Sequence, residues 1–180
     1  MKTHAVLTLL LLSACAAAAK EPSMAKTGEL ISDLSQYTIP QGWTSENGLT
    51  QGDPRTVLSR DLHAITIRLA GGQGSRYKTS GDFLVGFEAR SSGGKPAEKL
   101  ESAAAGGARV IIYRRKVPVR LPPPDASGPA EFTTEEFCVV PAGKRFFVLK
   151  YSYGDSVPDP QYNGKKAWRD FLKTFKLKKQ

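Results

Sequence analysis

Phe137-Cys138-Val139-Val140-Pro141-Ala142-Gly143-Lys144-Arg145-Phe146-Phe147-Val148-Leu149 is the stretch whose reading decides the fold. Two apolar arms flank Pro141-Ala142-Gly143, a short connection that favours an antiparallel hairpin. The arms are read as strands over Glu131 to Val140 and Lys144 to Tyr153. In the second arm Phe146, Phe147, Val148 and Leu149 leave no polar face, so this strand is expected to be central and buried on both sides.

Upstream, His63, Ile65, Ile67 and Leu69 alternate with Ala64, Thr66 and Arg68, the pattern of a half-buried strand. Further strands are expected at Gln36 to Ile39, ended by Pro40-Gln41-Gly42-Trp43, and at Arg109 to Val119. Trp43 is placed at the edge of the core, and a segment at Glu98 to Ser102 precedes the turn Gly106-Gly107. Asn47-Gly48 and Gly52-Asp53-Pro54 read as turns. Leu121 to Pro129, with four prolines, reads as a stiff connection, and Gly154 to Gly164 as a loop. Two helices stand out. One runs from Asp82 to Glu88 with Ser80 as N-cap. The other runs from Lys165 to Leu177, where Trp168, Phe171, Leu172 and Phe175 recur at i, i+3, i+4 and i+7 and make one apolar stripe. About six strands in hairpin order with two or more covering helices define an α+β class built on a twisted antiparallel sheet.

Two motifs carry a resemblance. Pro40-Gln41-Gly42-Trp43 after an early strand, and Trp168-Arg169-Asp170-Phe171-Leu172-Lys173-Thr174-Phe175 in the last helix, resemble the PsbP-like family. That resemblance implies an α/β/α sandwich over about Tyr37 to Leu177 and a binding or assembly role. It brings no catalytic motif with it.

The N-terminus has its own signature. Met1-Lys2 is followed by an apolar run from Ala5 to Leu12 that is too short to span a bilayer. It ends in Leu12-Ser13-Ala14-Cys15, which resembles the lipobox of bacterial lipoproteins position by position. This match is preferred to an Ala-x-Ala cleavage site within Ala14 to Ala19. The expected organisation is a signal peptide over residues 1–14, a lipidated Cys15 with a tether over 15–35, and one globular domain over 36–180. The resemblance implies a protein of the bacterial cell envelope, held on a membrane by acyl chains at Cys15.

Charge narrows the partners. The chain carries 26 basic and 17 acidic residues, and removing residues 1–14 takes only Lys2 from that balance. Such a domain suits anionic lipid, an acidic envelope polymer or an acidic envelope protein, and nucleic acid is not expected outside the cytoplasm. With Cys15 acylated, Cys138 has no partner for a disulfide. Its apolar surroundings suit a buried thiol rather than a nucleophile. His63 is the only histidine after the signal peptide and is read as structural. No zinc set, Cys-His pair or spaced pair of carboxylates among Asp61, Asp82, Glu135 and Glu136 emerges. A non-catalytic binding module without a cofactor is the expectation, with a carboxylate hydrolase behind it.

Candidate contacts are few. The glycine-rich loop Gly71 to Ser80 carries Arg76 and Lys78, which together with Arg114 are the candidate anion ligands. The loop fails the phosphate-loop pattern. Lys166, Arg169, Lys173 and Lys176 lie largely off the apolar stripe of the last helix and are the candidate contacts for a membrane or a partner. Oligomeric state is not legible.

Overall fold

Four two-residue turns organise the chain. Gln51-Gly52, Asp61-Leu62, Gly106-Gly107 and Gly143-Lys144 each join strands whose flanking residues pair directly. Gln51 and Gly52 both take positive φ (51° and 80°), as do Gly106 and Gly107 (63° and 80°). That backbone matches the twist of tight hairpins. The computed structural model describes residues 30–88, 96–120, 131–154 and 163–179. The expected signal peptide, Cys15, the tether up to residue 29, the Leu121 to Pro129 connection and residues 155–162 of the last loop lie outside them.

The strands are β1 (Ser35–Gln36), β2 (Thr44–Thr50), β3 (Asp53–Arg60), β4 (His63–Ala70), β5 (Glu98–Ala105), β6 (Ala108–Arg120), β7 (Glu131–Ala142), β8 (Arg145–Gly154) and β9 (Lys176–Leu177). The helices are α1 (Ser80–Glu88) and α2 (Gly164–Thr174). Seven strands, against about six expected, form one open antiparallel sheet in the order β2-β3-β4-β8-β7-β6-β5. Two meanders, β2-β3-β4 and β5-β6-β7-β8, thus join along the central β4–β8 pair. The short β1 and β9 pair separately and tie the two ends of the domain together.

Strand parity sorts the core into two faces. On the first face Ile65, Ile67, Leu149 and Phe147 meet the α2 stripe, and Trp168, Phe171, Leu172 and Phe175 are all at most 1% exposed. On the second face Phe83 of α1 packs against Phe137 and Phe146, with ring centroids 6.1 and 6.0 Å apart. The sheet is therefore covered on both sides, and β8 is buried on both, as its unbroken apolar run requires. Cys138 lies on the first face at 0% exposure, where burial pushes its thiol up to about 12. That is far from a reactive thiolate.

Several boundaries differ from expectation. Asn47-Gly48 is not a turn but the middle of β2, paired with Thr56 and Arg55. Asn47 Oδ1 accepts a 2.7 Å hydrogen bond from the Thr56 hydroxyl, which satisfies it without a turn. Asp53 and Pro54 belong to β3, and the reversal falls at Gln51-Gly52. The β7–β8 turn is Gly143-Lys144, with Pro141 and Ala142 inside β7. Residues 30–34 are helical, and Ile31 is 1% exposed in the core. The early strand is Ser35–Gln36 rather than Gln36 to Ile39.

Both helices start one residue earlier or are capped differently than expected. Thr79, not Ser80, caps α1, its hydroxyl accepting from Asp82 N at 3.1 Å. Asn163 caps α2 through its side chain at 2.9 Å from Lys166 N. The last helix ends at Thr174 instead of Leu177. Phe175 turns extended (φ −70°, ψ 119°), its N–H closing the helix on Phe171 O while its own carbonyl accepts from Gly106 N at 2.9 Å.

Candidate anion-binding pocket

Parity that builds the core also lines up charge. On the second face, Arg55 of β3 stands opposite Arg68 of β4, Thr66 of β4 opposite Lys150 of β8, and Arg115 of β6 opposite Glu135 of β7. With Thr50, Gln51, Tyr77 and Phe83, the cations Arg55, Arg68, Arg115 and Lys150 line a cavity of about 260 Å³.

Two carboxylates hold three of these cations in place. Asp53, whose side chain is 1% exposed, accepts from Arg68 Nε at 2.7 Å and is also ion-paired to Arg68 Nη2. Glu135 accepts from Arg115 Nε at 2.9 Å through one oxygen and binds Lys150 Nζ through the other. Burial alone would raise the Glu135 carboxyl, but Lys150 and then Arg115 outweigh it and hold the group below its ordinary value. Arg55 makes no ion pair among the described residues, and its guanidinium stem lies over Gly48, whose added Cβ would come within 3.3 Å of Nε. Among the described residues, these four cations set against the two carboxylates leave a surplus of two positive charges.

One wall is aromatic. Tyr77 meets Phe83 edge-on at 5.4 Å. A Cβ at residue 86 would lie 2.6 Å from the Tyr77 ring, so only glycine lets α1 seat this wall. Buried ion pairs are weak contributors to stability, but fixed guanidinium groups are ready-made anion ligands because their N–H groups need no reordering on binding.

The expected ligands Arg76, Lys78 and Arg114 do not converge. Arg76 lies 5.6 Å over the Tyr77 ring. Lys78 Nζ closes its own loop on the carbonyls of Gly72 and Gln73 at 3.1 and 2.7 Å. Arg114 points to the first face, where it pairs with Glu136 at 2.9 Å and Glu98 at 3.7 Å. The sheet stands between it and the glycine-rich loop. Of the C-terminal candidates, Arg169 turns inward to Glu136 and Glu101 at 3.2 and 3.0 Å. Lys166 and Lys173 are exposed, both pairing with Asp170, and Lys176 is exposed beyond the helix in β9. His63 is hydrogen-bonded to Tyr151 at 2.9 Å and packs beside Gly164.

A second, larger groove of about 830 Å³ runs between residues 38–42 and α2. Its lining mixes Arg60 and Lys166 with Asp170 over the buried Phe171, so it has no comparable surplus of charge. No group of three or more potential metal ligands occurs among the described residues, and none of their helices is long and apolar enough to cross a membrane.

Architecturally this is an open antiparallel sheet with a helix on each face and a cationic cavity on the α1 side. No protein-family model matches the chain, and no curated protein matches it significantly. Among solved structures, a Bacteroides thetaiotaomicron protein is similar with a TM-score of 0.47 and 11% identity, covering 81% of this chain and 46% of its own. The chain thus spans about half of that protein. LpqN of Mycobacterium tuberculosis, described as involved in cell envelope biogenesis, has a TM-score of 0.46 and 12% identity over 81% of this chain and 83% of its own. Likenesses at this level carry no inference about the role of this chain.

Proposed function

We propose that the chain is a non-catalytic lipoprotein of a bacterial cell envelope, whose tethered basic α+β domain binds an anionic envelope component or an acidic partner protein. The observation that carries this reading is the convergence of Arg55, Arg68, Arg115 and Lys150 on one cavity with two charges in surplus. Each carboxylate there is engaged by cations, which suits holding an anion better than moving a proton. The PsbP-like motifs agree with a scaffold role, since Trp43 and Trp168 both serve the core.

Membrane docking through the last helix is the alternative. Its apolar stripe is consumed by the sheet, so only lysine charge is left for such docking, and that attraction is screened within about 8 Å at physiological salt. The pocket needs no such exposure.

Calorimetric titration of the full chain with sulfate, inorganic phosphate and pyrophosphate at low salt tests the reading. Binding is expected, weakened at least about tenfold by Arg55→Ala through loss of a charge-assisted contact and unchanged by Arg76→Ala. Affinity indifferent to Arg55→Ala would remove the pocket from the proposal. The anchor is tested separately: Cys15→Ser is expected to move the protein from the membrane to the soluble fraction. A Cys15→Ser protein that still sediments with membranes, unlipidated, would show that lipid at Cys15 is not the anchor.

A further inference from the structure

We propose that the pocket takes a phosphate monoester, with the dianionic phosphate on the arginines and a small organic group against Tyr77 and Phe83. This rests on the anion-binding reading above and names its ligand class. Charge balance is the first ground. Two surplus positive charges match a phosphate monoester dianion, whereas a carboxylate or sulfonate leaves one charge unmatched.

Donor geometry is the second ground. Arg68 spends Nε and Nη2 on Asp53, which leaves Nη1 without a hydrogen bond among the described residues. Arg55 keeps its whole fork. Planar forks of this kind match phosphate oxygens two at a time.

The third ground is the aromatic wall. An anion pocket for a bare inorganic ion has no use for an apolar side, but here Tyr77 and Phe83 form one, fixed against α1. A volume of about 260 Å³ falls below the range of about 300–1,000 Å³ usual for drug-sized ligands. The organic part that enters is therefore small, as at the phosphorylated end of a larger envelope molecule.

Protonation separates this class from other anions. A phosphate monoester loses its second proton near about pH 6. The groups facing the pocket are Asp53 and Arg55 from β3, Arg68 from β4, Lys150 from β8, Glu135 from β7, Arg115 from β6 and Tyr77 beside α1. His63, the one histidine among the described residues, lies on the opposite face with Tyr151. Raising the pH from about 5 to about 7.5 therefore adds charge to a phosphate monoester and none to a sulfonate.

Calorimetry of the full chain with phenyl phosphate, benzenesulfonate and inorganic phosphate decides the matter. Phenyl phosphate is expected to bind about tenfold tighter at about pH 7.5 than at about pH 5, with benzenesulfonate flat across that range. Tyr77→Ala is expected to reduce phenyl phosphate to the affinity of inorganic phosphate, whose binding it keeps, and Tyr77→Phe to preserve the preference. Equal binding of benzenesulfonate and phenyl phosphate at every pH overturns the monoester assignment and leaves the anion pocket standing. Absence of binding by any of the three to the unaltered protein overturns both.

Discussion

Trp168→Ala is expected to cost about 3–5 kcal/mol of folding free energy, a large share of the roughly 5–15 kcal/mol that holds a domain together. Trp168 is fully buried, with Tyr151 stacked at 6.1 Å and Phe171 at 6.0 Å. Alanine leaves a void at the junction of α2 with β8, and both ring contacts are lost. Trp168→Phe is expected to be far milder. The indole Nε1 is buried without a hydrogen-bond partner among the described residues, and an unsatisfied buried donor costs about 1–3 kcal/mol, so removing it offsets part of the lost volume. Urea unfolding followed by circular dichroism reads both variants. A Trp168→Phe midpoint as low as that of Trp168→Ala would show that the indole nitrogen is satisfied in solution.

The same helix shows why much of the fold can be read from the residues. Its spacing of Trp168, Phe171, Leu172 and Phe175 allows one stripe only, and every member of it is buried. The alternation from His63 to Leu69 likewise fixes which side chains enter the core, and the apolar run Phe146 to Leu149 fixes a strand with two buried faces. Failures concentrate where a local signal met a long-range pairing. Asn-Gly is the strongest short hairpin signal, but Asn47 is satisfied by Thr56 across the β2–β3 ladder, and Gly48 leaves room for Arg55. The chain reverses four residues later instead, at Gln51-Gly52. Ile31 sits between Leu30 and Leu34 in a stretch read as tether with a weak helical turn, and nothing local says that its side chain enters the core.

Candidate ligands were harder to read because strand parity gives a face but not a neighbour. Arg68, Arg115 and Lys150 each stand on the second face by simple alternation. Their meeting depends on the β4–β8 and β6–β7 registers, which join Thr66 to Lys150 and Arg115 to Glu135, 84 and 20 positions apart. Density along the chain pointed instead to Arg114 and to the glycine-rich loop. Arg114 was misleading for a physical reason: adjacent strand residues face opposite ways, so Arg114 serves Glu136 while Arg115 serves the pocket. The signal that could have been used is the carboxylate pair Glu135-Glu136, which stands opposite Arg115-Arg114 and splits across the sheet in the same manner.

Glu135 couples the pocket to stability, and its replacement is the second large effect. Glu135→Gln is expected to destabilise the protein by about 3 kcal/mol near neutral pH, the lower end of the cost of breaking a buried ion pair. Arg115, with its side chain 12% exposed, loses its 2.7 Å ion pair with the carboxylate, whereas Lys150 at 29% can still turn to water. The sign with pH follows from the depressed carboxyl. Its stabilising contribution is complete above the unfolded value of 4.5 and is lost as pH falls through the lower folded value. The unaltered protein should therefore lose stability below about pH 4.5 by a component that Glu135→Gln lacks. Equal acid slopes for the two, read from urea midpoints across that range, would show that the carboxylate is not held by its cations. The variant also raises the pocket surplus from two charges to three. A bound anion stabilises whatever state binds it, so phosphate should restore more stability to Glu135→Gln than it adds to the unaltered protein. That difference measures how much of the pocket's positive charge the fold keeps available for a ligand rather than spending on itself.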